Sequence, residues 1–241
     1  MAASILIYGA TGGIGRCLAR QLAETGHRLH LVAREAATLA PLADELAAGW
    51  TAADVLDDDA FAHVMAQAPE LLDGLVYAVG NIHLKPFARL GASDMARDYR
   101  LNAAGAALAI QAALPALRAG SSGASIVLFS SVAASHGFAM HGSIGMAKAA
   151  VEGLTLALAA ELAPAIRVNA IALSLTETPL ARPLLTSARV RDTITAMHPL
   201  KRLGQPEDAA QLAAFLLGPQ SSWITGQVIG VDGGRGAIAS S

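Results

Sequence analysis

Residues 5–24 read ILIYGATGGIGRCLARQLAE: a short apolar run, a loop with glycines at 9, 13 and 15, and an amphipathic stretch of helix length. A strand that feeds a helix through this spacing uses Gly9 for a tight turn, Gly13 for close approach of a pyrophosphate, and Gly15 for close helix–strand packing. The strand before and the helix after supply the context that separates this motif from an ordinary glycine-rich turn. The unit predicts a dinucleotide site at the amino end of the first helix, with Gly9, Gly13, Ile14 and Gly15 against the cofactor.

The alternation continues along the chain. Strands are expected near Ile5–Tyr8, Arg28–Ala33, Trp50–Ala53, Gly74–Val79, Ser125–Phe129, Arg167–Ile171 and Gln227–Val231. Helices fit between them at Ile14–Thr25, Leu39–Ala48, Asp57–Gln67, Ser93–Arg118, Ser143–Leu162 and Pro206–Leu217. Strands separated by helices predict a parallel sheet, and the near-continuous apolar runs GLVYAVG and SIVLFS suit central strands covered on both faces. The expected fold is α/β, a doubly wound parallel sheet in one domain over residues 1–241, because 241 residues at 54% hydrophobic fill one large core. From Leu173 to Gly204 the periodicity fades and prolines fall at 179, 183 and 199. That segment predicts an irregular stretch with a short helix, either a substrate lid or a surface insertion.

Charge and cysteine content exclude several classes. Lys and Arg total 17 against 19 Asp and Glu with no basic or acidic block, which argues against nucleic acid or a membrane surface as partner. Cys17 is the only cysteine, and no His-Glu-x-x-His or clustered His/Asp spacing occurs, so neither a disulfide framework nor a metal site is expected. A reducing cytoplasm is the expected compartment, with small molecules and other protein chains as partners. No basic region precedes the first apolar run, and charges or prolines interrupt the others, so no export or membrane segment is expected.

The second strand ends LVAR, where an NAD site ordinarily presents an acidic side chain to the adenosine ribose. Ala33 offers none, and Arg34 offers a cationic fork suited to a 2′-phosphate, so NADP is favoured while NAD remains open. Asp54 and Val55 follow the third strand as an acceptor for the adenine amino group and an apolar contact for its ring. An acidic helix cap at Asp54 would look the same.

With these motifs in place the chain resembles the short-chain dehydrogenase/reductase family nearly end to end. The glycine motif, DYRLN with Asn102, IVLFSS with Ser131, GMAKAAVEGLTLALAAELA with Lys148, RVNAIA, and the run from PLKRLGQPEDAA to ITGQVIGVDGG stand in family order. The resemblance implies a seven-stranded Rossmann-type sheet, a tetramer or dimer, and hydride exchange between a nicotinamide and a carbonyl or alcohol. It also implies catalytic Asn102, Ser131 and Lys148, with a tyrosine four residues before the lysine. Ile144 occupies that place. In such sites the serine polarises the substrate carbonyl, the lysine holds the nicotinamide ribose and lowers the phenol pKa, and the phenol exchanges a proton with substrate. Isoleucine has no proton to exchange.

Other departures cluster nearby. The family's Asn-Asn-Ala-Gly after the fourth strand reads Tyr77, Ala78, Val79, Gly80, keeping only the glycine as a cofactor contact, and its Pro-Gly after the sixth reads Leu173, Ser174. Substitute acids are sought first at His141 and Tyr77, then at Tyr99, His136 and His83. Two functions result: an atypical NADP-dependent reductase of a small carbonyl, with Ser131 and Lys148 in their roles, or a catalytically silent nucleotide-binding subunit beside an active relative. The helix AKAAVEGLTLALAAELA is apolar around most of its circumference, which predicts a homo-oligomer.

Overall fold

Apolar side chains at alternating positions of the first strand supply both faces of one sheet. Leu6 and Tyr8 enter a core with Phe61, Ile110, Val151 and Leu162, while Ile5 and Ile7 enter a second with Leu18, Leu39, Ala210 and Leu216. The computed structural model describes residues 2–120 and 123–238. Its strands are β1 (Ser4–Tyr8), β2 (Arg28–Ala33), β3 (Gly49–Ala52), β4 (Gly74–Tyr77), β5 (Ala124–Ser131), β6 (Ile166–Leu173) and β7 (Val228–Val231). They form one seven-stranded parallel sheet in the order β3-β2-β1-β4-β5-β6-β7. The order reverses between β1 and β4, and in open α/β sheets the crevice outside the strand ends at such a point takes the ligand.

The helices are α1 (Gly13–Glu24), α2 (Ala36–Glu45), α3 (Ala60–Met65), α4 (Ala92–Tyr99), α5 (Gly105–Ala119), α6 (Gly142–Leu162), α7 (Ala188–Ala196) and α8 (Pro206–Leu217). The single helix expected over Ser93–Arg118 is interrupted by a π-helical turn at Arg100–Ala104 that contains Asn102. Such turns insert a wider backbone ring and recur at functional sites. Strand β5 runs two residues beyond its expected end, so Ser131 lies in register with Leu173 of β6.

The segment from Leu173 to Gly204 carries a 3₁₀ turn at Arg182–Leu184 and then α7. A backbone bridge between Thr176 and Gly204 closes its two ends together. Helix α6 is long and apolar enough to cross a bilayer by length and composition, contrary to the sequence expectation that no stretch would be. Here it packs on β5 and β6, with Ile144, Ala147, Lys148, Val151, Thr155 and Ala159 turned inward. Met146 and Leu156 remain exposed on its outer side.

Candidate functional site

The glycine loop leaves β1 with Gly9 at φ +78°, and the Gly9 and Ala10 N–H groups both donate to Val32 O, at 2.8 and 3.1 Å. A Cβ on Gly9 would lie 2.6 Å from Ala78 O, and one on Gly15 only 2.3 Å from Gly9 O. Both positions therefore exclude a side chain, as the sequence predicts. Gly12 caps α1 without a side-chain hydrogen bond, and the first turn holds no acidic residue. The helix thus presents unblocked N–H groups and the positive end of its dipole to the groove.

That groove encloses about 740 Å³, and its walls include Gly13, Ile14, Ala33, Arg34, Val55 and Gly80. Arg34 stands exposed at its rim. Asp54 lies off the wall and is not the helix cap either: its Oδ1 accepts the Leu56 N–H at 3.0 Å within a turn, Asp59 is the N-cap residue of α3, and Ala53 and Val55 face the groove.

A second cavity of about 340 Å³ continues from it, sharing Ile14, Gly80, Asn81 and Thr178 as walls. It brings together Ser131, Ile144 and Lys148. The Ser131 Oγ accepts the Ala133 N–H at 3.1 Å, so the hydroxyl proton is left to donate elsewhere. The Lys148 Nζ donates to Phe129 O at 2.9 Å and is buried, which pushes its pKa down to about 8. Desolvation is the cause, since burial disfavours the charged ammonium. Ile144 is buried one helical turn before it.

Asn102 reaches the same point from the π-helical turn. Its Nδ2 donates to Asn81 Oδ1 and to Asp98 O, each at 2.8 Å, whereas its buried Oδ1 has no partner. A Cβ on Gly80 would stand 2.9 Å from that Oδ1 and 3.2 Å from Lys148 Nζ. An orphaned acceptor and a cation therefore flank a bare backbone position, and this cradle fits a hydroxyl-bearing ribose between the two cavities. The buried Asp98 carboxylate braces the region, accepting from Asn81 Nδ2 at 2.6 Å, His83 Nδ1 at 3.0 Å and Ser143 Oγ at 2.5 Å.

The sought substitute acids separate. His141 lines the second cavity, its Nδ1–H donating to Ala139 O at 2.8 Å and its ring 5.4 Å from that of Phe138. Tyr77 lies outside it: the buried hydroxyl donates to Leu101 O at 2.8 Å, and desolvation raises its pKa well above the ordinary phenol range. Gly105 makes room for that ring, since a Cβ there would sit 2.2 Å from the hydroxyl oxygen. Tyr99 and His136 are exposed and off the cavity wall, and His83 faces the cofactor groove.

Two features carry no motif in the sequence. Buried His198 donates from Nδ1 to Ile194 O at 2.8 Å, leaving Nε2 to accept the Ser174 hydroxyl, also at 2.8 Å. Both residues line the second cavity. At the same cavity Arg235 lies over the Phe138 ring, 4.9 Å from its centroid, with no ion-pair partner among the described residues. The departure at Ser174 is visible in the sequence; its partner 24 residues on is not.

Comparison with known proteins agrees with this geometry. A family model described as enoyl-(acyl carrier protein) reductase matches residues 9–235. A cis-4-hydroxycyclohexanecarboxylate dehydrogenase of Sinomonas cyclohexanicum is 36% identical, covering 97% of this chain and 96% of its own. A tropinone reductase homolog of Arabidopsis thaliana is 35% identical over 95% of this chain and 90% of its own. Among solved structures, a short-chain type dehydrogenase/reductase from Mycobacterium ulcerans superimposes with a TM-score of 0.90 at 31% identity, over 97% of this chain and 89% of its own. With the Rossmann-type sheet, the glycine loop and the Ser131–Lys148 cavity in place, the chain belongs to the short-chain dehydrogenase/reductase family.

Proposed function

We propose that this chain is an NADP(H)-dependent oxidoreductase that interconverts a small carbonyl and its alcohol, on a substrate that also carries an anionic group. The observation that carries the reading is the continuity of the two cavities, with the glycine loop in one, Ser131 and Lys148 in the other, and the Asn102–Gly80–Lys148 cradle where they meet. Bound NADPH supplies a hydride to the carbonyl carbon. The protein's own part is to hold and polarise: α1 faces the pyrophosphate, Lys148 and Asn102 meet the ribose, and the free Ser131 proton is offered to the substrate oxygen.

Arg34 beside Ala33 favours the 2′-phosphate. NADPH is expected to bind more tightly than NADH, and Arg34→Ala to remove the preference at a cost of about 1.5–3 kcal/mol, roughly ten- to a hundredfold. Fluorescence titration reads this directly. Equal affinities in the wild type would take Arg34 out of the site.

The substrate's charge is argued from the cavity walls. They include Lys148 and Arg235 and, among the described residues, no aspartate or glutamate. Leu84, Phe138, Ile144, Leu184, Ile194 and Met197 make most of the remainder apolar. A compact ring or chain with a carboxylate at the Arg235 end satisfies both, and the Sinomonas relative is named for a cyclic alcohol of that kind. Single-turnover oxidation of NADPH with paired keto acids and their methyl esters tests the reading. The acids are expected to react, with a KM about tenfold higher in Arg235→Leu, while the esters are indifferent to that change. If no carbonyl compound is reduced by the wild type or by Ile144→Tyr although both bind NADPH, the second reading holds: a silent nucleotide-binding subunit, which the apolar Ile144 favours.

The assembly we propose is a homo-oligomer, dimer or tetramer, in the cytoplasm. Leu156 on α6, Phe215 on α8, Trp223 in the loop before β7 and Val228 of that edge strand are all exposed apolar side chains that a second copy would cover. Sedimentation should show a dimer or tetramer; a monomer at every concentration would contradict it.

A further inference from the structure

We infer that Ser174 and His198 form the proton relay of this site, taking the place that a phenol before Lys148 would otherwise fill. The inference rests on the hydride-transfer reading above. The His198 Nδ1–H is committed to Ile194 O one helical turn earlier, so the neutral ring carries its lone pair on Nε2. Ser174 Oγ–H is the donor to that lone pair at 2.8 Å. A hydroxyl, a base and a third group that fixes the base's tautomer make the arrangement by which enzymes activate a hydroxyl. Nearly complete burial of His198 keeps water from competing for Nε2.

Placement supports the role. Ser131 is the register partner of Leu173, so Ser174 is the next residue along the neighbouring strand end. An extended strand would turn Ser174 to the opposite face, but β6 ends at Leu173, and the chain beyond it carries Ser174 to the wall of the same small cavity as Ser131. Ser131 Oγ accepts the Ala133 N–H and its proton has no acceptor among the described residues, so it is free to donate. Ser174 has its proton committed and its oxygen free to accept. One hydroxyl thus stabilises a carbonyl oxygen and the other receives an alcohol proton, a division of labour that two unconstrained serines would lack.

In the direction of alcohol oxidation the substrate O–H bond breaks and its proton passes to Ser174 Oγ as the Ser174 proton moves to His198 Nε2. The carbinol C–H bond breaks at the same time, its electron pair leaving as hydride to oxidised nicotinamide while the C=O bond forms. His198 is left as imidazolium and gives its proton back through Ser174 to water that fills the cavity once the product has left. Reduction is the reverse, with the imidazolium as proton source.

Both directions are open to test in the full chain. Ser174→Ala should lower turnover by about 10²-fold, and Ser174→Thr, which keeps the hydroxyl, should restore most of it. The double variant Ser174→Ala with Ile144→Tyr should recover the turnover of Ile144→Tyr alone, because a phenol bypasses the relay but would not mend a packing defect. In the cofactor-free protein, ¹⁵N NMR of the histidine rings should show His198 as the Nδ1–H tautomer with an Nε2 signal that shifts in Ser174→Ala. Full wild-type turnover in Ser174→Ala, failure of the tyrosine to rescue it, or an Nε2–H tautomer would each overturn the relay. Absence of turnover in the wild type and in Ile144→Tyr alike would overturn the hydride-transfer reading itself, and the relay with it.

Discussion

Ile144→Tyr is expected to raise carbonyl reduction by about 10²-fold or more and to leave NADPH affinity unchanged. A positioned general acid contributes on the order of 10²–10⁴ in rate, roughly 3–5 kcal/mol of barrier. Ile144 lies on the wall of the substrate cavity, one helical turn from Lys148, so a phenol there meets both substrate and cation. The cavity's volume of about 340 Å³ leaves room for the larger ring. Affinity is unaffected because Lys148 is placed by the Phe129 carbonyl, which needs nothing at position 144. Stopped-flow decay of NADPH fluorescence gives the rate and titration the affinity. The gain is measured against a wild type whose Ser174–His198 relay supplies the low end of that range and a phenol beside Lys148 the high end, so an unchanged rate would contradict it.

Lys148 is expected to make NADPH binding and protein stability respond to pH in opposite directions. Burial holds its pKa at about 8 in the free protein, against 10.5 for an ordinary lysine. Between those values the unfolded chain binds the proton and the folded chain does not, so stability rises with pH through that window, by about 3 kcal/mol in total. Binding runs the other way. An anionic dinucleotide favours the ammonium, so its affinity falls as pH passes 8, by about tenfold per pH unit where the free lysine is neutral and the bound one charged. Lys148→Met should weaken binding at pH 7 and flatten both profiles. Melting curves and titrations from pH 7 to 10 measure them, and a wild-type affinity constant across that range would remove the lysine from the ribose.

The fold was legible because strand and helix periods differ and their alternation admits few topologies. Gly9 and Gly15 could be read as positions without room for a side chain, and both are so hemmed in by backbone that they admit none. Long-range partners were less legible. The stretch 93–118 reads as one helix because residues 101–117 are apolar at nearly every position, which hides the phase shift of an inserted residue, and only the structure shows Asn102 within a π-helical turn. Asp54 illustrates an ambiguity of chemistry, as the carboxylate that can accept from adenine also accepts the N–H two residues on. Tyr77 ends a strand aimed at the cofactor, yet its hydroxyl turns away to Leu101. Ser174 and His198 stand 24 residues apart on a strand end and beyond a helix, a pairing no local spacing encodes.

The central claim is that hydride passes between cofactor and substrate in the Ser131–Lys148 cavity although Ile144 offers no proton. Its most direct test is a single turnover of the wild-type protein with NADPH deuterated at C4 and a small keto acid, followed by mass and NMR analysis of the product. The expected result is deuterium on the new carbinol carbon. NADPH bound stoichiometrically, with no deuterium reaching any carbonyl substrate in either the wild type or Ile144→Tyr, would contradict it.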